Sequence, residues 1–262
     1  MLFKTPLEML YHWEQTIPQQ TWMRYVTQGQ WHDVSWAEAG RQCRKVAAAL
    51  SALGLSEGDK VGIYGANSPH WIMADIACMM AGLVTVPVYT TMPMDKVSYV
   101  VDHSDMRALF VDGGVDLAGL REVLPSNTPL LAMPGGDVDN TDFNWQHIQA
   151  SVIGVGGNPL RNPNDLWTIV YTSGTTGMPK GVMHSFSTFP HSASGIPEFT
   201  GSDSNSRLFS YLPLAHAAER VLVELQSIYS GALIGFNTSK DSFAADLREI
   251  RPPFFLAVPR IW

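Results

Sequence analysis

Leu166-Trp167-Thr168-Ile169-Val170 runs directly into Tyr171-Thr172-Ser173-Gly174-Thr175-Thr176-Gly177-Met178-Pro179-Lys180-Gly181. The first segment is a short, mainly apolar run that predicts a buried β-strand. The second packs three glycines, four serine or threonine hydroxyls and a lysine into one loop. A loop at a strand end sits where open α/β sheets place their ligands. Its glycines open backbone conformations closed to other residues, so amide N–H groups can converge on an anion. The hydroxyls add donors and an oxygen ligand for Mg²⁺, and Lys180 adds a compact positive charge. Such a loop suits a polyphosphate. It is not a Walker P-loop, which needs Gly-Lys-Ser/Thr, because Pro179 precedes Lys180 and Gly181 follows it.

On the N-terminal side, Ser35 and Glu38 have the spacing of a capping box. Apolar residues follow at Ala39, Cys43, Val46, Ala47, Leu50 and Leu53, and Gly54 is the expected helix stop. Residues 61–64 predict a strand, and Ser68-Pro69 start a helix ending near Gly82. Strands at 83–88 and 108–111 bracket a helix at 94–103. Helices alternating with short apolar strands indicate βαβ units and a parallel sheet, so the fold class is α/β. From 112 to 164 the pattern weakens, and glycine pairs at 113–114, 135–136 and 156–157 mark loops around a short strand near Leu130-Leu131. After the glycine-rich loop, Ser185 is placed to cap a helix, and the polar stretch 197–206 is the best candidate for a mobile connection. A strand at 208–212, a helix at 216–229, a strand at 232–236, a helix at 243–250 and a last strand at 254–258 complete the reading.

The chain has 262 residues, enough for one large domain or two smaller ones. Charged residues make up only 16%, which fits a surface partly covered by further sequence. A net charge of -7 with no Lys/Arg cluster argues against nucleic acid as a partner. Cys43 and Cys78 have no paired spacing and read as buried thiols in a reducing cytoplasm. The first residues, Met1-Leu2-Phe3-Lys4-Thr5-Pro6, lack the pattern of a secretory signal. The most hydrophobic window, 71–88, contains Asp75, Gly82 and Pro87 and reads as a buried helix entering a buried strand, so a soluble protein is expected. No pair of histidines has HxxxH spacing, which argues against a zinc site.

The run 171–185 closely resembles the phosphate-binding signature of the adenylate-forming superfamily, which includes acyl-CoA synthetases, peptide-synthetase adenylation domains and luciferases. Tyr211-Leu212-Pro213-Leu214-Ala215-His216-Ala217-Ala218-Glu219-Arg220 resembles the next motif of that family, in the form typical of long-chain fatty acyl-CoA synthetases. Asn67-Ser68-Pro69-His70-Trp71 and Val86-Pro87-Val88-Tyr89-Thr90-Thr91 are similar to the family's N-terminal pattern, and the closing Val258-Pro259-Arg260-Ile261-Trp262 resembles the long-chain branch. Family members are much longer. The resemblance therefore implies an incomplete N-terminal large domain, with layered parallel sheets flanked by helices. Residues 1–59 and 200–262 would form one unfinished subdomain and 60–199 the phosphate-loop subdomain, with the substrate cleft between them and the C-terminal domain absent.

The resemblance implies an ATP-dependent fatty acid–CoA ligase that forms an acyl-adenylate and then acyl-CoA, releasing pyrophosphate and AMP. ATP, Mg²⁺ and coenzyme A are the expected cofactors and co-substrates, and a fatty acid is the expected acyl donor. Thr172, Ser173, Gly174, Thr175, Thr176, Gly177 and Lys180 would hold the phosphates, with Thr172 also a Mg²⁺ ligand. His216 would line the acyl pocket near the carboxylate. Thr172, Lys180 and His216 are the expected catalytic residues. A cytoplasmic location is expected, with room for peripheral membrane contact. The isolated chain is expected to be a poor catalyst that self-associates through an uncovered apolar strand at 254–258. Rival readings are an aryl-acid or other carboxylate-adenylating enzyme and a non-catalytic nucleotide- or acyl-binding module. Glu219 and Arg220 are expected to pair with each other or with solvent, and His184 to be structural. Residues 221–225 with Ile228 fit either an acyl tunnel or plain core.

Overall fold

The computed structural model describes residues 4–136, 139–172 and 177–257. Helix α1 (Pro6–Thr16) starts at a full capping box, in which Glu8 N–H donates to Thr5 Oγ1 and Thr5 N–H donates to the Glu8 carboxylate at 2.7 Å. Strands β1 (Thr21–Thr27) and β2 (Gln30–Ser35) form an antiparallel hairpin. Gln28 and Gly29 turn it, both at positive φ. Helix α2 (Trp36–Ala52) follows. Its expected capping box is only half made. Ser35 Oγ accepts from Glu38 N–H at 3.2 Å, but the Glu38 carboxylate turns away to accept from Arg41 and Gln42.

Strand β3 (Lys60–Tyr64), helix α3 (Pro69–Ala81), strand β4 (Val84–Val88), helix α4 (Met94–Ser104) and strand β5 (Met106–Val111) keep the expected order. Ser68 Oγ caps α3 by accepting from Trp71 N–H, and α3 is buried on all sides. Among the described residues no helix is long and apolar enough to cross a membrane. Helix α5 (Leu117–Val123), strands β6 (Leu130–Ala132) and β7 (Phe143–Asn144) and helix α6 (Trp145–Ser151) fill the stretch with weak periodicity. These elements are too short to show a period, although Asp116 and Asn144 cap the two helices through their side chains.

Next come β8 (Leu166–Thr172), β9 (Lys180–Ser185), α7 (Phe189–Ala193), α8 (Ile196–Thr200) and β10 (Arg207–Ser210). Helix α9 (Ala217–Glu219) continues through a π-helical stretch, Arg220–Leu225, into α10 (Gln226–Ser230). Strand β11 (Leu233–Phe236) and helix α11 (Phe243–Ile250) follow. Three expectations are corrected here. Ser185 ends β9 rather than capping a helix, and its N–H donates to the Thr188 hydroxyl. The stretch 197–206 is largely taken up by α8 and turns. Residues 254–257 form no strand, and Val258 lies outside the described residues. The prolines at 252 and 253 have no N–H to offer a ladder. Phe255 packs instead on Phe209, Tyr211 and Phe243, with ring centroids 5.4 to 6.2 Å apart.

The larger sheet has the order β7-β6-β5-β3-β4-β8-β9 and is parallel except for β9, which runs antiparallel to β8. The smaller sheet has the order β10-β11-β1-β2, with only β2 antiparallel. Alternation along the strands sends Val61, Ile63 and Phe110 to one face of the larger sheet, where α2 and α3 cover them. Leu109, Val111, Val86 and Ile169 face the other side, under α4 and α5. Trp22 and Trp36 stack at 4.1 Å in the core under the smaller sheet. Trp22 Nε1 donates to Ser227 Oγ at 2.8 Å and Trp13 Nε1 to the Ile228 carbonyl at 2.7 Å, which ties the N-terminal elements to α10.

Candidate functional site

The glycine-rich run joins two paired strands. In the β8–β9 ladder Tyr171 lies opposite Gly181 and Thr172 opposite Lys180. Residues directly opposite share a face, with Cβ atoms about 4.5–5.5 Å apart, so the register makes Thr172 and Lys180 neighbours. Gly181 is required by packing, since a Cβ there would meet Ile169 Cγ2 at 2.9 Å and the Tyr171 ring at 3.1 Å. Gly177 stands at φ +91°, a conformation that side chains disfavour. Ser173, Gly174, Thr175 and Thr176 lie outside the described residues. Tyr171 is anchored from behind, its hydroxyl 2.7 Å from His103 Nδ1 on α4.

At the strand end lies an open cavity of about 440 Å³. Thr172, Gly177 and Pro179 line one side, and Tyr89, Lys96 and His216 close it from other elements. Lys180 is exposed beside Thr172 and is not among the lining residues. Among the described residues no carboxylate lines the cavity, although the chain carries a net charge of -7. Lys96 Nζ donates to the Gly177 carbonyl at 3.0 Å and lies 3.0 Å from Met178 Sδ.

His216 is the N-cap of α9, and its Nδ1 accepts from Ala218 N–H at 3.0 Å. That acceptor role puts the proton of the neutral ring on Nε2. The residue therefore combines a capping contact with a place in the cavity wall. Its approach is fixed by Asn67, between β3 and α3. Asn67 Nδ2 donates to the Leu212 carbonyl at 2.6 Å and to Ser210 Oγ at 2.8 Å, and its Oδ1 accepts from Leu214 N–H at 2.8 Å. One side chain thus holds the segment before His216 against the larger sheet.

Glu219 and Arg220 do not pair with each other or with solvent. Glu219 is buried and accepts from Ser210 Oγ at 2.8 Å and Tyr211 N–H at 2.9 Å. Arg220 is fully buried and donates to Asp75 on α3 at 2.5 Å, Thr168 on β8 at 2.8 Å and Glu224 at 3.0 Å. Its guanidinium stands 4.0 Å from the Trp167 ring centroid. Asp75 also accepts from Thr85 Oγ1 and Trp167 Nε1. The helix that carries His216 and the strand that carries Thr172 are thus joined by one buried arginine.

Burial pushes the Glu219 carboxyl up to about 8, against the opposing pull of its Ser210 and backbone donors. Burial shifts Glu224 in the same direction, and the nearby Asp75 adds to the shift while Arg220 opposes it. A carboxyl raised in this way is protonated in the folded state while the unfolded chain ionises it above the ordinary value. Its contribution to stability is complete below about 4.5 and is lost as pH rises through about 8. The thermal midpoint is therefore expected to fall between pH 5 and 8.5. Glu219→Gln, whose carbonyl can accept from the same donors, is expected to flatten that fall. A variant with an unchanged slope in pH-dependent melting would remove Glu219 from the account.

Of the residues expected from the sequence, Thr172, Gly177 and His216 line the cavity and Lys180 lies opposite Thr172, whereas no role was expected for Lys96, Asn67 or Asp75 and Arg220 was expected to pair with Glu219 or solvent. The available signals were an acid inside an otherwise apolar helix at Asp75, an arginine one turn beyond His216, and the place of Asn67 at the head of a family-like motif. His184 stacks on Phe189 at 4.4 Å. Leu225 and Ile228 are fully buried in the main core, while Leu222 and Val223 face the Phe209–Phe255 cluster.

Residues 11–262 match the family model described as AMP-binding enzyme. Long chain acyl-CoA synthetase 3 of Arabidopsis thaliana is 33% identical over 239 residues, covering 83% of this chain and 35% of that protein. Fatty acyl-CoA synthetase A of Dictyostelium discoideum is 31% identical over 256 residues, covering 89% and 37%. The chain spans about a third of the length of these curated relatives. The crystal structure of the anthranilate CoA ligase AuaEII in complex with anthranoyl-AMP superposes with a TM-score of 0.85 over 96% of this chain and 49% of that one, and at 18% identity it shows a shared fold. With the family model matched over nearly its whole length, this chain belongs to the AMP-binding enzyme family.

Proposed function

We propose that this chain is the N-terminal part of an ATP-dependent fatty acid–CoA ligase. In this reading residues 1–59 with 200–262 and residues 60–199 are two subdomains, with the substrates held between them. The observation that carries it is the single cavity in which Thr172 and Gly177 of the glycine-rich run meet His216 of the second motif. A carboxylate oxygen of the fatty acid attacks the α-phosphorus of ATP, the bond to the bridging β-oxygen breaks, and pyrophosphate leaves. The thiol sulfur of coenzyme A then attacks the acyl carbonyl, losing its proton, and AMP departs. Both reactants of the first step are anions, so neutralisation and alignment dominate its barrier. The backbone and hydroxyls of 172–177, with Lys180, supply donors and charge for the departing phosphates. His216, with its proton on Nε2, is placed to donate to the acyl carboxylate and orient it.

Thr172 offers a hydroxyl oxygen at the cavity wall, the hard donor that Mg²⁺ accepts alongside phosphate oxygens and water. Thr172 would hold that ion, which when bound supplies positive charge to the phosphate oxygens. Among the described residues no group of three His, Cys, Asp or Glu could hold a metal by itself. The relatives named a long chain acyl-CoA synthetase and a fatty acyl-CoA synthetase, both above 30% identity, favour a fatty acid over an aryl acid as the acyl donor.

The test is ATP–pyrophosphate exchange with the full reading frame that carries this chain, across a series of fatty and aryl acids. Exchange is expected to require a carboxylic acid and to run fastest with a fatty acid. His216→Ala is expected to raise KM for the acid about tenfold, the loss of one charge-assisted hydrogen bond, and to leave KM for ATP near wild type. Production of ADP and inorganic phosphate, or a defect confined to ATP, would refute the reading.

A further inference from the structure

The cavity has one lysine in its wall that does not come from the glycine-rich run. Lys96 lies in the first turn of α4, on the opposite side of the larger sheet's core from α3. Its Nζ reaches across to the Gly177 carbonyl at 3.0 Å and to Met178 Sδ at 3.0 Å, the far end of the run from Thr172. An ammonium group has three donors. Two are directed at Gly177 and Met178, which leaves one for the cavity that Lys96 lines. Among the described residues the cavity wall holds Lys96 and His216 and no carboxylate, so an anion there meets the Lys96 ammonium without a competing acid. Lys180 stands outside that wall. Among the described residues, the lysine lining the cavity is therefore supplied by α4.

We infer that Lys96 is a phosphate-binding residue, an ammonium that contacts the pyrophosphate group of the nucleotide while its carbonyl contact holds the Gly177 end of the run in place. The inference rests on the ligase reading above. It adds to that reading a cation that the sequence motif does not contain.

The experiment uses the full reading frame and follows pyrophosphate as the probe in the exchange reaction, with Lys96→Gln, Lys96→Arg and Lys96→Met. Glutamine keeps a donor for the Gly177 carbonyl and removes the charge. It is expected to raise KM for pyrophosphate about tenfold, the loss of one charge-assisted hydrogen bond. KM for the carboxylic acid should stay within twofold of wild type. Arginine keeps the charge and is expected to recover most of the loss, and methionine is expected to match or exceed the glutamine defect. Wild-type KM for pyrophosphate in Lys96→Gln would overturn the inference, reducing Lys96 to a tie on the loop. Equal losses for pyrophosphate and acid, with a lowered melting temperature, would overturn it as well, by showing a folding role. Failure of the ligase reading is seen separately, as wild-type protein without carboxylate-dependent exchange.

Discussion

Arg220→Ala is expected to lower folding stability by about 3–5 kcal/mol, because it leaves the acidic side chains of Asp75 and Glu224 buried without the guanidinium they share. Asp75 and Glu224 are both fully buried, and Arg220 is the cation that pairs with each. Urea unfolding monitored by tryptophan fluorescence reads the effect directly, since Trp71 and Trp167 flank the guanidinium at 5.4 and 4.0 Å. A shift smaller than about 1 kcal/mol would mean that the two acids find other partners or protons at little cost. The triple change Asp75→Leu, Arg220→Met, Glu224→Met separates pairing from packing. Removing all three polar side chains together is expected to recover most of the loss, as replacement of buried ionic clusters by apolar groups often does.

The second large effect is expected on catalysis. Thr172→Ala and Lys180→Ala, each in the full reading frame, are expected to slow adenylation about 100-fold or more, the usual consequence of losing one preorganised donor to developing charge. Thr172 and Lys180 face each other across the β8–β9 ladder, so both stand at the same end of the glycine-rich run. The Thr172 variant should also need more Mg²⁺, whereas the Lys180 variant should not, because only the hydroxyl is an oxygen ligand. Single-turnover formation of acyl-adenylate across a Mg²⁺ series distinguishes the two. Rates within threefold of wild type for both variants would show that this ladder end takes no part in the chemistry.

What the sequence made legible was the punctuation of the α/β pattern. Ser35, Ser68 with Pro69, and Gly82 mark helix ends in the residues themselves, and the structure places caps at all three. The hairpin of β1 and β2 escaped because its turn is Gln28-Gly29, without the Asn or Asp that announces such turns, and because Trp31, His32 and Asp33 of β2 lie exposed. Strand β9 escaped because it is an edge: Val182 and Met183 are exposed, so its pattern is not that of a core strand. The apolar run at 254–257 misled in the opposite sense, since its hydrophobicity serves the aromatic cluster around Phe209 and not a ladder. At the site, a motif can be read from neighbours in the chain, but Lys96 and Asn67 reach Gly177 and Leu212 only through folding. Nothing local to either residue points to its distant partner.

The π-helical stretch at 220–225 divides one continuous helix into two segments that are out of phase. A π turn amounts to one residue inserted into an α-helix, and a residue corresponds to about 100° of rotation. His216 and Glu219 before the stretch therefore follow one angular register, while Ile228, sealed in the main core, follows another. An uninterrupted α-helix of this sequence could satisfy only one of the two. Chain length, as well as side-chain identity, is thus part of the specification of the site: dropping a single residue here would leave a regular helix with its N-terminal end turned away from the cavity.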